Sequence, residues 1–305
     1  MATPPRAARR NRSDPVFLRV PGGSGRFAWS ARAGTTTAHA DAALPGFNAA
    51  PPLATPGAHP IEAAPARWSS VAWFDDAQRN FTCEADADGL RVQFDDYGTL
   101  VLGSDDVVSL AGVPARATHE ALLGVGLVLA LAQRACFALH GACVADARGR
   151  AFVLLGGSGA GKSTLAALLA AQGGWRRLCD DITPATCDTD GARLWPAFPQ
   201  LKLEPAQWSR EPGPLLPAAF LVLARDAACA TPTLRPLDAT AAAVLLLRRT
   251  AGTRLFAPDL LAEHLWFARS AAQTVPAFAL TVPDDLAHVA RSAVRTAALL
   301  DAWQP

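Results

Sequence analysis

From Trp68 to Val108, short apolar runs are divided by polar, turn-forming residues. Ser70–Phe74, Asn80–Glu84, Leu90–Phe94 and Thr99–Leu102 read as strands. Asp75-Asp76, Asp86–Gly89 and Asp95–Gly98 read as the turns between them. A small antiparallel β module is therefore expected over residues 66–110. The first 65 residues show little periodicity. They are rich in Pro, Ala, Gly and Thr and are expected to be largely disordered or irregular, with a short ordered piece around Val16–Val20.

After residue 110 the runs lengthen. Ala111–Arg134 reads as a loop and a buried helix, and its apolar stretch Ala121–Ala132 is too short to span a bilayer. Cys136–Val144 and Ala151–Leu155 are apolar strands joined by the turn Asp146–Gly149. So short a connection cannot make a parallel crossover, so the pair forms a hairpin. A helical run, Leu165–Gln172, is stopped by Gly173-Gly174, and a short strand, Arg177–Cys179, leads into Asp180-Asp181. Further on, Leu194–Leu203 reads as extended and Ala218–Ala224 as a buried strand. Ala239–Leu247 and Pro258–Ala272 read as helices, Phe278–Val282 as a strand, and Asp284–Trp303 as a helix with acidic residues at its start. Mixed strands and helices over 111–305 define an α/β core.

Composition narrows the function classes. The chain has 305 residues, half of them hydrophobic and 18% charged, which excludes a wholly disordered protein. Lys and Arg total 28 against 27 Asp and Glu, so no bulk charge draws it to nucleic acid or an anionic membrane. No apolar segment follows the basic N-terminus, so no secretory signal is expected and the compartment expected is the cytoplasm. The six cysteines form no CxxC pair, and no His lies at ligand spacing from them, so buried reduced thiols are expected rather than a zinc site. Only two of the 28 basic residues are Lys, Lys162 and Lys202. A Lys kept in so arginine-biased a chain points to a place where a compact ammonium is needed.

Gly156, Gly157, Ser158, Gly159, Ala160, Gly161, Lys162 and Ser163 fit G-x-x-x-x-G-K-[ST] at every position, with Thr164 following. The glycines let the backbone approach a phosphate, and successive N–H groups line an anion nest. The helix that follows points its positive end at the same place. Lys162 can reach β and γ oxygens, and the Ser163 hydroxyl can ligate Mg²⁺. The strand–loop–helix context supports nucleotide phosphate binding. A bound triphosphate also needs a metal carboxylate and a base, for which Asp180 and Asp181 are the candidates. Side chains of adjacent strand residues point oppositely, so one Asp can face the metal and the other the acceptor. His140 lies on the strand just upstream and is either a hydrogen-bonded core residue or a site residue. Lys202 reads either as functional or as a solvent-facing strand residue. Arg248, Arg249 and Arg254 are alternatives for a γ-phosphate arginine.

The order LHGACV (139–144), FVLLGGSGAGKST (152–164) and LCDD (178–181) resembles the catalytic domain of the HPr kinase/phosphorylase family and its smaller bacterial relatives, among them kinases of lasso-peptide gene clusters. The likeness extends more loosely to WPAFPQLKL (195–203) and VPAFALTVPDDL (275–286). It implies a phosphate-loop kinase core similar to phosphoenolpyruvate carboxykinase, and transfer of phosphate from ATP to a serine hydroxyl of a peptide or small protein. It implies catalytic roles for His140, Lys162 and the Asp180-Asp181 pair, with Asp181 the closer match to the acid/base, and a metal role for Ser163. It also implies self-association. The chain departs from the full-length enzymes after the Asp pair. Leu194-Trp-Pro-Ala-Phe-Pro stands where they carry a Glu- and Gly-rich signature with a second metal carboxylate. The metal would then rest on Ser163, an Asp such as Asp180, and water, and reverse phosphorolysis is not implied. The expectation is an ATP- and Mg²⁺-dependent serine kinase. The alternatives are a nucleotide-binding switch without transfer, or a small-molecule kinase.

Overall fold

The computed structural model describes residues 65–304 except 87, 104–106, 114–116, 118–119, 197–199, 204–206, 210, 212–213 and 285–288. Nearer the start it describes the backbone of three strands, β1 (Val16–Arg19), β2 (Arg26–Trp29) and β3 (Thr36–Ala38). The ordered piece expected near residue 16 coincides with β1. β2 and β3 were not expected in this segment; apart from the three strands and residue 65, it lies outside the described residues. The chain divides into two compact units. One holds residues 1–136, 204–206 and 252–262; the other holds 137–203, 207–251 and 263–305.

In the first unit, β4 (Ala66–Phe74), β5 (Ala77–Asp86), β6 (Gly89–Phe94), β7 (Gly98–Gly103) and β8 (Val107–Ala111) form an antiparallel meander. The strand runs and turns read from the sequence fall within it. β8 pairs in parallel with β1, which extends the sheet to eight strands in the order β3-β2-β1-β8-β7-β6-β5-β4. Asp75 and Asp76 both take positive φ, 47° and 55°, as a tight hairpin turn demands. Phe74, Phe81, Phe94, Leu90, Val92, Leu100 and Leu102 are buried, and Phe94 packs against both Phe74 and Phe81. A π-helical stretch, Glu120–Gly126, continues into α1 (Leu127–Ala132), whose six residues are all buried. This helical stretch, expected within the α/β core, belongs to the first unit instead. Its apolar residues on every side suit full burial.

The second unit is built on a mixed sheet. Its strands are β9 (Phe137–Ala145), β10 (Ala151–Leu155), β11 (Arg176–Cys179), β12 (Ile182–Asp188), β13 (Gly191–Leu194), β14 (Pro217–Asp226), β15 (Thr233–Leu237) and β16 (Ala277–Pro283). The order is β13-β12-β9-β10-β14-β16-β15, with β11 also paired to β9. The β9–β10 hairpin is antiparallel as expected, while β14 is parallel to both β10 and β16. Asp146 shapes the hairpin turn by accepting from the N–H groups of Arg148 and Arg150. The helices are α2 (Lys162–Ala170), α3 (Ala239–Arg248), α4 (Pro258–Thr274, whose first five residues count with the first unit) and α5 (Val289–Ala302). Asp238 caps α3 by accepting from the Ala241 N–H at 2.8 Å. Ala142, Val144, Phe152 and Leu154 of the hairpin form one buried cluster with Leu165, Ala166 and Leu169 of α2 and Ala293, Ala297 and Leu300 of α5. Of the stretch expected to be extended, Leu194–Leu203, Leu194 ends β13 and residues 201–203 turn, while residues 197–199 lie outside the described residues. Among the described residues no helix is long and apolar enough to cross a membrane.

His264 of α4 is buried between Phe137 and Phe267, with Nε2 2.8 Å from Thr250 Oγ1. Burial lowers its pKa from 6.5 to about 4. The folded state therefore resists a proton that the unfolded chain accepts, and stability is lost as pH falls from 6.5 toward 4. The loss expected is up to about 3 kcal/mol. Urea denaturation at pH 7 and pH 5 checks it: stability should fall in the parent and fall less in His264→Phe.

Candidate active site

The site is assembled along β9, which has a different neighbour on each edge. On one edge β10 runs antiparallel to it and ends at Leu155, where the glycine loop begins. On the other edge β11 and β12 lie end to end, and Asp180-Asp181 form the join between them. Gly141 stands midway. Its N–H donates to the Asp181 carbonyl at 2.9 Å, and its own carbonyl accepts from Thr183 Oγ1 at 3.0 Å. A Cβ here would sit 2.6 Å from the Leu154 carbonyl oxygen. Only glycine allows β9 to lie this close to the strand that launches the loop.

The loop then turns into α2. Gly161 takes φ 93°, a conformation closed to most side chains, and the helix starts at Lys162. Lys162 is 8% exposed, and its Nζ donates to the carbonyls of Gly156 and Gly157 at 3.2 and 2.9 Å. Burial lowers its pKa. The Asp181 charge opposes that, Arg249 and Lys202 add to the lowering, and Asp180 opposes it. Ser163 and Thr164 open the first turn of α2 and are exposed. Beside the loop lies a cleft lined by Ala160, Gly161, Thr164, Leu165, Leu223 and Val282, among others. Arg225, at its rim, donates to the Gly159 carbonyl and pairs with Asp284.

The two aspartates have different surroundings. Asp180 is 5% exposed, with Oδ2 3.7 Å from Arg177 Nη1 and Oδ1 buried with no hydrogen-bond partner. Asp181 takes φ 81°, which departs from the regular strand that the sequence reading assumed. Its Oδ1 accepts from Lys202 Nζ at 2.7 Å and lies 3.2 Å from His140 Nε2. Burial would raise its pKa, but the hydrogen bonds and charges of His140 and Lys202 outweigh that and hold the carboxyl below its ordinary value. Gln200 clamps the join: its Oε1 accepts from the Asp180 N–H and its Nε2 donates to the Ile182 carbonyl, both at 3.0 Å.

The structure thus brings together His140, Lys162, Asp180 and Asp181, all chosen from the sequence. Of the three arginines left open, Arg249 joins them. Its carbonyl accepts from the His140 N–H, its charge reaches Lys162, and its side chain carries an unpartnered buried Nε. Arg254 instead donates to the Val71 carbonyl in the first unit, and Arg248 is exposed. Gln200 carried no sequence signal. Lys202 carried one, its rarity; its side chain is exposed and its Nζ contacts Asp181 Oδ1. The six cysteines form no disulfide, and burial pushes Cys179 up to about 12 and Cys143 well above its ordinary value, so neither is an accessible nucleophile. Among the described residues no group of three or more His, Cys, Asp and Glu is placed to hold a metal. A metal here would draw on the free Asp180 Oδ1, a hydroxyl and water. No protein-family model matches the chain, and no curated protein matches it.

Gly141→Ala should destabilise the protein by about 1–3 kcal/mol, because the new methyl meets backbone rather than a movable side chain. Chemical denaturation measures this. An unchanged midpoint would mean that β9 and β10 have room to separate.

Proposed function

We propose that this chain is an ATP- and Mg²⁺-dependent kinase that transfers the γ-phosphate to a serine hydroxyl of a peptide or small protein. The observation that carries the proposal is the coupling, through β9, of a glycine loop with a buried Lys162 to the His140–Asp181 pair. A phosphate cradle and a carboxylate base on strands that flank the same neighbour, β9, suit in-line transfer. The resemblance to the HPr kinase/phosphorylase catalytic domain supports the serine acceptor and the phosphate-loop kinase core.

In this reading the loop N–H groups and the start of α2 bind the β- and γ-phosphates, and Lys162 leaves the loop carbonyls for a phosphate oxygen. The apolar cleft beside Ala160 and Leu165 receives the nucleotide base. Asp181 accepts the proton of the serine hydroxyl. The serine oxygen forms a bond to Pγ, and the bond from Pγ to the bridging oxygen breaks with its electron pair leaving on ADP. His140 fixes the Asp181 carboxylate through Oδ1. The buried and unpaired Asp180 Oδ1 suits a metal, and Asp180 with Ser163 would hold Mg²⁺, which keeps several waters and needs few protein ligands. Bound there, the ion neutralises phosphate charge.

Intact-mass spectrometry of serine-containing peptides, and of the protein itself, incubated with ATP and Mg²⁺ tests the proposal. One added phosphate is expected, and none with Lys162→Ala. Asp181→Asn should lower kcat by about 10²–10⁴-fold while nucleotide still binds. Nucleotide binding with no acceptor gaining mass across peptides and metabolites would favour a nucleotide switch instead.

A further inference from the structure

Lys202 stands outside the roles assigned so far, yet it makes the shortest contact to the Asp181 carboxylate, 2.7 Å at Oδ1. An ammonium has three donors, and among the described residues only this one is engaged. The side chain is 58% exposed, so the other two are open to a ligand. Asp181 is divided in the same way. Both of its side-chain partners, Lys202 Nζ and His140 Nε2, sit on Oδ1, and among the described residues Oδ2 takes no hydrogen bond. Lys202 and Lys162 are also close enough for each charge to bear on the other. The chain's two lysines therefore converge on one region, in a protein that uses Arg for the remaining 26 of its 28 basic residues.

We propose that Lys202 is a second phosphate-holding ammonium, anchored on Asp181 Oδ1 and presenting its remaining donors to the transferred phosphoryl group. The inference rests on the kinase reading above. Asp181 then does two jobs with two oxygens. Oδ1 positions the cation that meets the γ-phosphate, and Oδ2 takes the proton of the acceptor hydroxyl. One carboxylate thereby sets the spacing between phosphoryl group and nucleophile. An arginine could not substitute. Its planar fork would pair with both carboxylate oxygens, cover Oδ2 and block the acceptor.

The test compares Mg²⁺ complexes of ADP and of the β,γ-imido analogue of ATP by equilibrium titration. Lys202→Met should weaken the analogue by about 10- to 100-fold, the worth of one charge-assisted hydrogen bond. ADP affinity should stay unchanged, which also shows that the variant is folded. Lys202→Arg should turn over no faster than Lys202→Met. Equal effects on the two nucleotides, no effect on either, or full turnover in Lys202→Arg would overturn the inference and leave the kinase reading standing. A parent protein that binds neither nucleotide would overturn both.

Discussion

The double pairing of β9 is the constraint on which the second unit depends. One edge of this strand sets the height of β10 and hence the place where the glycine loop begins. The other edge sets the register of β11 and β12 and hence the place of the two aspartates. Backbone hydrogen bonds, with a fixed repeat along the strand, are stiffer spacers than side chains. Gly141 is the point where both edges press closest. It is bonded to Asp181 on one side and lies against the Leu154 carbonyl on the other. Side chains from the loop, the join and the chain just after α3 then meet without any long, flexible connection.

Charge balance adds a second layer. The basic side chains of Lys162, Lys202 and Arg249 gather here with His140, opposite the carboxyl groups of Asp180 and Asp181. Burying Lys162 is costly, and the two loop carbonyls together with the Asp181 charge offset part of that cost.

Much of this was legible in the chain, for physical reasons that differ from residue to residue. The glycine loop was legible as a strand–loop–helix turn because glycines stand between an apolar strand and a helical run. The β9–β10 hairpin was legible because a short polar turn allows no other connection. The meander of the first unit followed from turn residues spaced along short apolar runs. What escaped was long-range. Nothing local shows that β14 returns to lie beside β10, or that Gln200 folds back onto the Asp180 join. The positive φ of Asp181 was hidden for a related reason. Asp tolerates that region better than most residues but does not require it, and the Asp181 carbonyl accepts from the Gly141 N–H on a strand distant in sequence. The helical stretch around α1 was identified correctly as buried. Its unit was not, since an apolar helix carries no label for the core it joins.

The cluster beneath the glycine loop has a consequence for how the protein is made. Leu165 and Leu169 of α2 share their core with Ala293, Ala297 and Leu300 from the last helix, and β10 gains its parallel neighbour only at β14. Contacts so distant in sequence form late, after loop-closure entropy has been overcome. On a ribosome the loop is synthesised long before α5, and it finds its supporting layer only once that helix has emerged. Until then the growing polypeptide carries an exposed apolar hairpin, the stage at which aggregation competes most strongly with folding.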